Sequence, residues 1–420
     1  MRRSNTTGKF GGNGPWGGVL WIPRGGFLSV RRIAVVTSSR ADYSHLYWPL
    51  REMEARPEIE VLLIAIGPHL SPEFGNTAEA IEADGFRLDH RIECLLSSDT
   101  DVGMAKTIGI ATQSLADLLG RERPDLVLVI ADRYEMLAPA SVALALRIPI
   151  VHIEGGEASE GAIDQAVRNA LTMMSHVHLT PTALARRRVI AMGEEPWRVH
   201  HVGAPSLDHL LRSALLDRPA LERGLGHPVE KGTIVVGYHP VTLERDTTVG
   251  MDELFAALGE LDRPLLFCFP NADAGSRRII ETTRCFAAAR NEAMGPRTDI
   301  HVNLAPIPYW SLLRLVDLHV GNSSSGIMET PSLQLPAVNV GERQKGRERA
   351  ANVIDVPAER SAIRVAVERA LRPAFRASLG GLENPYGDGR SSMRIAEVLA
   401  TVPLDERILR KPGLDLSSRG

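Results

Sequence analysis

Acidic residues at the ends of apolar runs are the first sign of chemistry in this chain. The run Ile148–Ile153 stops at Glu154, followed by Gly155 and Gly156, and then by Glu157, Glu160 and Asp164. A carboxylate beside Gly-Gly lets another molecule approach the backbone, and carboxylates so placed can move protons as general acids or bases. A second run, Leu126–Ile130, is followed by Ala131, Asp132 and Arg133. If the two runs are neighbouring strands, about 4.8 Å apart, Asp132 and Glu154 converge on one pocket. Each acid also has an ordinary structural explanation. Asp132 could pair with Arg133 or stabilise a helix start. Asp164 could pair with Arg168 one turn on. Glu157 and Glu160 read as solvated loop acids, and His152 as a satisfied buried histidine.

Other residues suit an anion. The loop Gly321-Asn322-Ser323-Ser324-Ser325-Gly326 lies between an apolar run and a helix start, with Glu329 about one turn further on. Backbone N–H groups and hydroxyls in such a loop can cradle a diphosphate. Glu329 is placed to accept hydrogen bonds from a ribose diol. Thr37-Ser38-Ser39-Arg40-Ala41-Asp42 opens another helix. Arg40 offers a planar charged fork to phosphate, while Ser39 and Asp42 have the spacing of a capping box. His239-Pro240 and Pro270-Asn271-Ala272-Asp273 follow two more apolar runs. His239, Asn271 and Asp273 are candidate ligand contacts there, or simply turn residues.

For these positions to meet, the strands before them must end together. The pattern predicts strands over Arg31–Thr37, Ile59–Gly67, Leu126–Ile130, Ile148–Ile153 and His176–Leu179. Helices are predicted between them, over Ala41–Arg56, Gly103–Leu119, Leu137–Leu146 and Gly161–Met174. The alternation restarts after Gly203, with strands at Thr233–Tyr238, Pro264–Phe269, Ile300–Asn303, Leu318–Val320 and Ala337–Val340. Helices over Arg360–Leu371 and Ser391–Leu399 follow. Strands alternating with helices imply parallel sheets covered on both faces. The expected fold class is α/β: two Rossmann-like domains whose strand ends face an interdomain cleft. The expected divisions are a leader at 1–29, an N-terminal domain at 30–204, a C-terminal domain at 205–375, and a final helix and tail at 376–420.

The bulk numbers agree with this picture. At 420 residues the chain exceeds one ordinary core. Its 44% hydrophobic and 24% charged residues are those of a globular protein, and a net charge of −3 leaves no basic footprint for nucleic acid. No apolar run approaches the roughly 20 residues of a membrane span. Cys94, Cys268 and Cys285 are scattered, without CxxC or zinc spacing, and no HExxH occurs, so no metal is expected and a reduced, cytoplasmic protein is. Residues 1–29 are rich in Gly and Pro and are expected to be disordered, with the true start near Val30. The GxGxxG at Gly12, Gly14 and Gly17 lacks the strand and helix of a dinucleotide site.

Taken in order, the motifs from about residue 31 to 400 resemble the hydrolysing UDP-N-acetylglucosamine 2-epimerases of sialic-acid biosynthesis. They also resemble relatives acting on UDP-diacetylbacillosamine. The matching residues are Ser39–Asp42, Asp132–Glu135, His152–Glu157, Gly161–Asp164, His239–Thr242, Pro270–Asp273, Gly321–Ser324 and Asn384–Gly389. The resemblance implies a glycosyltransferase-B type fold with the nucleotide in the cleft, no cofactor, no metal, no membrane or nucleic-acid partner, and a homodimer or homotetramer. It implies loss of the C2 proton, elimination of UDP, and hydration of the glycal to the 2-epimeric sugar. Asp132, Glu154 and Asp164 then become the catalytic acids, with raised pKa values. Arg40, His239, Asn271, Asp273, Asn322, Ser323, Ser324, Ser325, Gly326 and Glu329 become the UDP-sugar contacts. The substrate implied first is UDP-N-acetylglucosamine, releasing UDP and N-acetylmannosamine. UDP-2,4-diacetamido-2,4,6-trideoxy-glucose of a legionaminic-acid pathway is the alternative, and a nucleotide-sugar glycosyltransferase or binding protein a further one. Gln165 and Asn169 depart from the family pattern, where an acid and a histidine are frequent, and so do Thr37-Ser38-Ser39 and Ile130-Ala131.

Overall fold

A computed structural model of the chain describes residues 30–96, 100–160, 163–241, 246, 248–269, 276–302 and 304–413. The expected leader, Asn271 and Asp273 lie outside the described residues. Among the described residues, thirteen strands form two sheets. The first contains β1 (Arg31–Thr37), β2 (Ile59–Ile66), β3 (His90–Ile92), β4 (Leu126–Ile130), β5 (Ile150–Ile153), β6 (Val177–Thr180) and β7 (Val199–His201), in the order β3-β2-β1-β4-β5-β6-β7. The second contains β8 (Ile234–Gly237), β9 (Leu265–Phe269), β10 (Thr298–Val302), β11 (Leu318–Gly321), β12 (Ala337–Val340) and β13 (Val353–Val356), in the order β10-β9-β8-β11-β12-β13. Each neighbouring pair is parallel. This is the expected α/β architecture. Six strands of the first sheet and all six of the second follow one doubly wound order, which opens a crevice beside each first strand at the carboxyl ends.

The apolar runs become strands because helices cover both sheet faces. Leu126–Ile130 is buried throughout, and Ile33–Val36 is fully inaccessible. Alternate residues of β1 and β4 therefore enter different cores, one with Leu46, Leu50 and Met53, the other with Leu115, Leu119 and Met136. Each such side chain stabilises the fold by about 1.5–3 kcal/mol. The helix Arg40–Glu54 starts at Ser39, whose Oγ accepts from Asp42 N at 3.4 Å, but the Asp42 carboxylate accepts from Ser38 N and Ser38 Oγ at 3.2 and 2.6 Å, so the expected capping box is only half formed. Pro49 within that helix has no N–H to donate to the carbonyl of His45.

Three strands went unread in the sequence: β3, β7 and β13. All three are edge strands of three or four residues, too short to show a period. The last long helix, Ser391–Thr401, crosses back to the first domain. Ile395, Ala396 and Leu399 complete the core beside β1, and Asp208 caps the helix by accepting from Ser391 N and Ser392 N at 2.9 and 2.8 Å. Arg31 Nη1 donates to the carbonyls of Leu399 and Val402. Among the described residues no helix is long and apolar enough to cross a membrane.

Candidate active site

A cleft of about 250 Å³ lies where the carboxyl ends of the two sheets face each other. β4 and β5 are neighbours in register, Ile130 opposite Ile153, so the residues that follow share one rim. Ala131 and Glu154 both turn left-handed there, with φ of 55° and 65°. That conformation costs a non-glycine residue about 1–3 kcal/mol and persists only where surroundings enforce it. They do so here. Ala131 N donates to Ile153 O at 2.9 Å, Glu154 N donates to Leu179 O at 2.9 Å, and the His152 ring meets Ala131 O at 2.8 Å. His152 is thus the satisfied buried histidine expected, and burial pulls its pKa down to about 4. Glycine follows because nothing larger fits. A Cβ on Gly155 would lie 2.9 Å from His152 Nδ1, and one on Gly156 2.4 Å from Ala185 O.

The structure brings Asp132, Glu154 and Asp164 to this one cleft. Their partners differ from those the sequence suggested. Asp132 is ion-paired with Arg168, which is 1% exposed, and not with Arg133; Arg133 pairs with Glu135 at 2.8 Å. Arg168 therefore does not serve Asp164, despite the i,i+4 spacing. It is committed to Asp132 and to Ser159 Oγ at 2.8 Å. Asp164 opens the helix Asp164–Met174 and faces Arg343 Nη2 at 3.7 Å, from the other domain. Glu157, expected in solvent, is 2% exposed, with burial raising its pKa.

Glu154 has an ionic partner that the sequence did not reveal, His45, with Nδ1 2.8 Å from Oε1. Burial pushes the Glu154 carboxyl up, but the His45 charge and hydrogen bond hold it below the ordinary glutamate value. Burial likewise opposes the His45 charge, yet Glu154 raises its pKa to about 9. The expectation of a raised pKa is therefore corrected for Glu154. At neutral pH the pair is an imidazolium beside a carboxylate, poised to accept a proton rather than give one.

The facing wall is built differently. Gly321 ends β11 at φ 136°, where a Cβ would lie 2.0 Å from Gly237 O, so only glycine lets β8 and β11 end side by side. Ser323, Ser324 and Ser325 then line the cleft with Arg40, His239 and Glu329. Asn322 and Gly326, expected as ligand contacts, lie behind that lining. The Asn322 amide spans His239, accepting from its N at 2.6 Å and donating to its O at 2.9 Å. A Cβ on Gly326 would lie 2.7 Å from the His319 ring, so this glycine serves packing. The helix that follows, Ser325–Met328, is a single turn, so its dipole adds little and the donors this wall offers are mainly hydroxyls. Ser325 Oγ donates to Glu329 Oε2 at 2.5 Å, and burial raises the Glu329 pKa.

Cation comes from arginines. Arg40 donates to Leu304 O, its Nε has no partner among the described residues, and burial lowers its pKa. Arg343 and Arg347, unremarked in the sequence, reach the cleft from the loop after β12. The alternation Arg343, Lys345, Arg347, Arg349 was the signal available. Among the described residues no group of three or more His, Cys, Asp or Glu is disposed to hold a metal. The cleft therefore sets an ionised carboxylate opposite hydroxyls and guanidinium groups, which suits removal of a proton from a molecule whose anionic end leaves.

The family model for UDP-N-acetylglucosamine 2-epimerase matches residues 51–400. The chain is 35% identical over 384 residues to UDP-N,N'-diacetylbacillosamine 2-epimerase (hydrolyzing) of Legionella pneumophila, covering 91% of this chain and 99% of that protein. It is 34% identical over 332 residues to GDP/UDP-N,N'-diacetylbacillosamine 2-epimerase (hydrolyzing) of Campylobacter jejuni, covering 78% and 85%. The crystal structure of UDP-GlcNAc 2-epimerase from Neisseria meningitidis bound to UDP-GlcNAc superposes with a TM-score of 0.73 at 18% identity, covering 88% of this chain and 99% of that one, a likeness of glycosyltransferase-B type fold. With its family model spanning most of the chain, the protein belongs to the UDP-N-acetylglucosamine 2-epimerase family, as an enzyme of the UDP-sugar 2-epimerase type.

Proposed function

We propose that this protein is a hydrolysing 2-epimerase for a UDP-linked 2-acetamido sugar of the diacetylbacillosamine kind. The observation that carries the proposal is the Glu154–His45 pair in one cleft with Arg40 and Ser323–Ser325. Glu154, ionised, takes the C2 proton. The electron pair forms the C1–C2 double bond as the C1–O bond to UDP breaks. Arg40 and the serine hydroxyls receive the diphosphate, with Glu329 on the ribose diol. Water then adds across the glycal, its oxygen to C1 and a proton to the opposite face of C2. Asp132 and Asp164, on the same rim as Glu154, are the acids for that return.

The sugar is read from the relatives. Two proteins at 34 and 35% identity carry diacetylbacillosamine in their names. UDP-N-acetylglucosamine is the second reading, favoured by the family description. Incubation with each UDP-sugar in D₂O tests both. Free UDP together with a C2-deuterated, 2-epimeric sugar is the expected product. Binding without UDP release over hours would instead mark a nucleotide-sugar-binding protein, and transfer of the sugar to an acceptor a glycosyltransferase.

A further inference from the structure

The segment carrying Glu154 is gripped from the second domain. Glu157 Oε2 accepts from Tyr386 OH at 2.9 Å and stands 3.4 Å from Arg347 Nη1. Tyr386 is fully buried and shares a core with Ile327 and Met328, the residues that continue the serine loop. Arg347 Nη1 also lies 2.8 Å from Met328 Sδ. The same grip extends along the backbone. Glu160 N donates to Lys345 O at 3.1 Å, and Arg188 bridges the two loops, reaching Gly156 O at 3.4 Å and Gly346 O at 2.7 Å. A Cβ on Gly346 would lie 2.8 Å from that of Ala158, so the loops touch with no room between them.

A buried carboxylate shared between domains is costly unless its partners are in place. Removing either partner leaves it with only the other. Glu157 is only three residues from Glu154, and between them lie two glycines with no side chains to anchor the chain. The Glu154 loop is thus fixed at one end by β5 and at the other by Glu157. We propose that Glu157, held by Tyr386 and Arg347, is a positioning residue that aligns Glu154 with the nucleotide-binding wall. This rests on the reading of Glu154 as the C2 base.

The test uses Tyr386→Phe, which removes one oxygen and keeps the ring in its core, together with Glu157→Gln and the double variant. Each is assayed for UDP release from the sugar that the unmodified protein turns over, and for UDP affinity by calorimetry. The expected result is a fall in kcat of about 10- to 100-fold, with KM and the UDP Kd changed by less than about threefold. The double variant should lose no more than the worse single one. Unchanged kcat overturns the proposal, and so does a parallel loss of kcat and UDP affinity. Hydrogen exchange supplies an independent readout. Tyr386→Phe should speed exchange of the amides at 154–160 and leave those of β1 and β4 unaltered. Unaltered exchange at 154–160 overturns the proposal even if Glu157→Gln does not fold. A parent protein that releases no UDP from any UDP-sugar defeats the functional reading instead, and exchange alone then decides the coupling.

Discussion

The two halves of the cleft share a strand order and little else. In the first sheet, the ends of β4 and β5 hold acids, and two non-glycine residues there are forced into left-handed backbone. In the second, the ends of β8 and β11 hold glycine and serine, and the unusual backbone falls on Gly321. One rim carries the carboxylates Asp132 and Glu154 and the conformational strain; the other offers space and hydroxyls, with Arg343 and Arg347 reaching in beside it. On the function proposed above, the difference follows from what each rim would contact. A proton-transferring carboxylate has to be held in one orientation against its own preference. A diphosphate is large, and asks mainly for donors and room. A shared topology therefore fixes where the rims are and leaves their chemistry to the residues placed there.

The division of labour can be broken at either rim. Glu154→Gln should lower UDP release about 1000-fold, with Asp132→Asn of the same order, while UDP affinity stays near normal. Near-normal turnover in Glu154→Gln would end the assignment of the base to the first rim. Gly321→Ala should destabilise the protein by about 3 kcal/mol, seen as a lowered Tm, because its Cβ meets Gly237 O. A variant with unchanged Tm would show that the second rim tolerates side chains after all. Arg40→Ala should weaken UDP binding about 10- to 100-fold by calorimetry, the loss of one charged hydrogen-bonding group.

The smallest effect expected is a pH limb. Against burial, the Glu154 charge and hydrogen bond raise the His45 pKa from an ordinary 6.5 to about 9, so the pairing stabilises fully below about 6.5 and is lost as pH rises through about 9. Turnover should fall above about pH 9 in the parent protein, and His45→Gln should lack that alkaline limb. An identical limb in His45→Gln would assign it to another group.

Much of the first rim was legible in the sequence, because an acid that ends a long apolar run has few structural excuses. The serine loop was legible for a related reason, wedged between a strand and a turn of helix. What stayed hidden was pairing. His45 is one polar residue on an amphipathic helix, and nothing local connects it to a glutamate 109 positions later. Arg168 sits one turn from Asp164, yet it pairs with Asp132 at the end of the neighbouring strand, while Asp164 faces Arg343 from the other domain. Glu157 looked like a loop acid because Tyr386, its partner, is 229 residues away. Gln165 accepts from Ser159 N at 2.7 Å and donates to Asn169 Oδ1 at 3.2 Å, so the two family departures form one short chain that the spacing alone did not suggest.

The helix Ser391–Thr401 has a consequence for how the molecule is made. Synthesis runs from the amino end, yet one face of the first sheet is covered by residues near the other end of the described chain. Until that helix leaves the ribosome, the apolar surface that Ile395, Ala396 and Leu399 will cover stays exposed beside β1. The first half to be translated is thus completed only after the second half has emerged. Truncations in the last thirty or so residues should leave nascent chains whose sticky surface lies in the amino-terminal half, far in sequence from the cut.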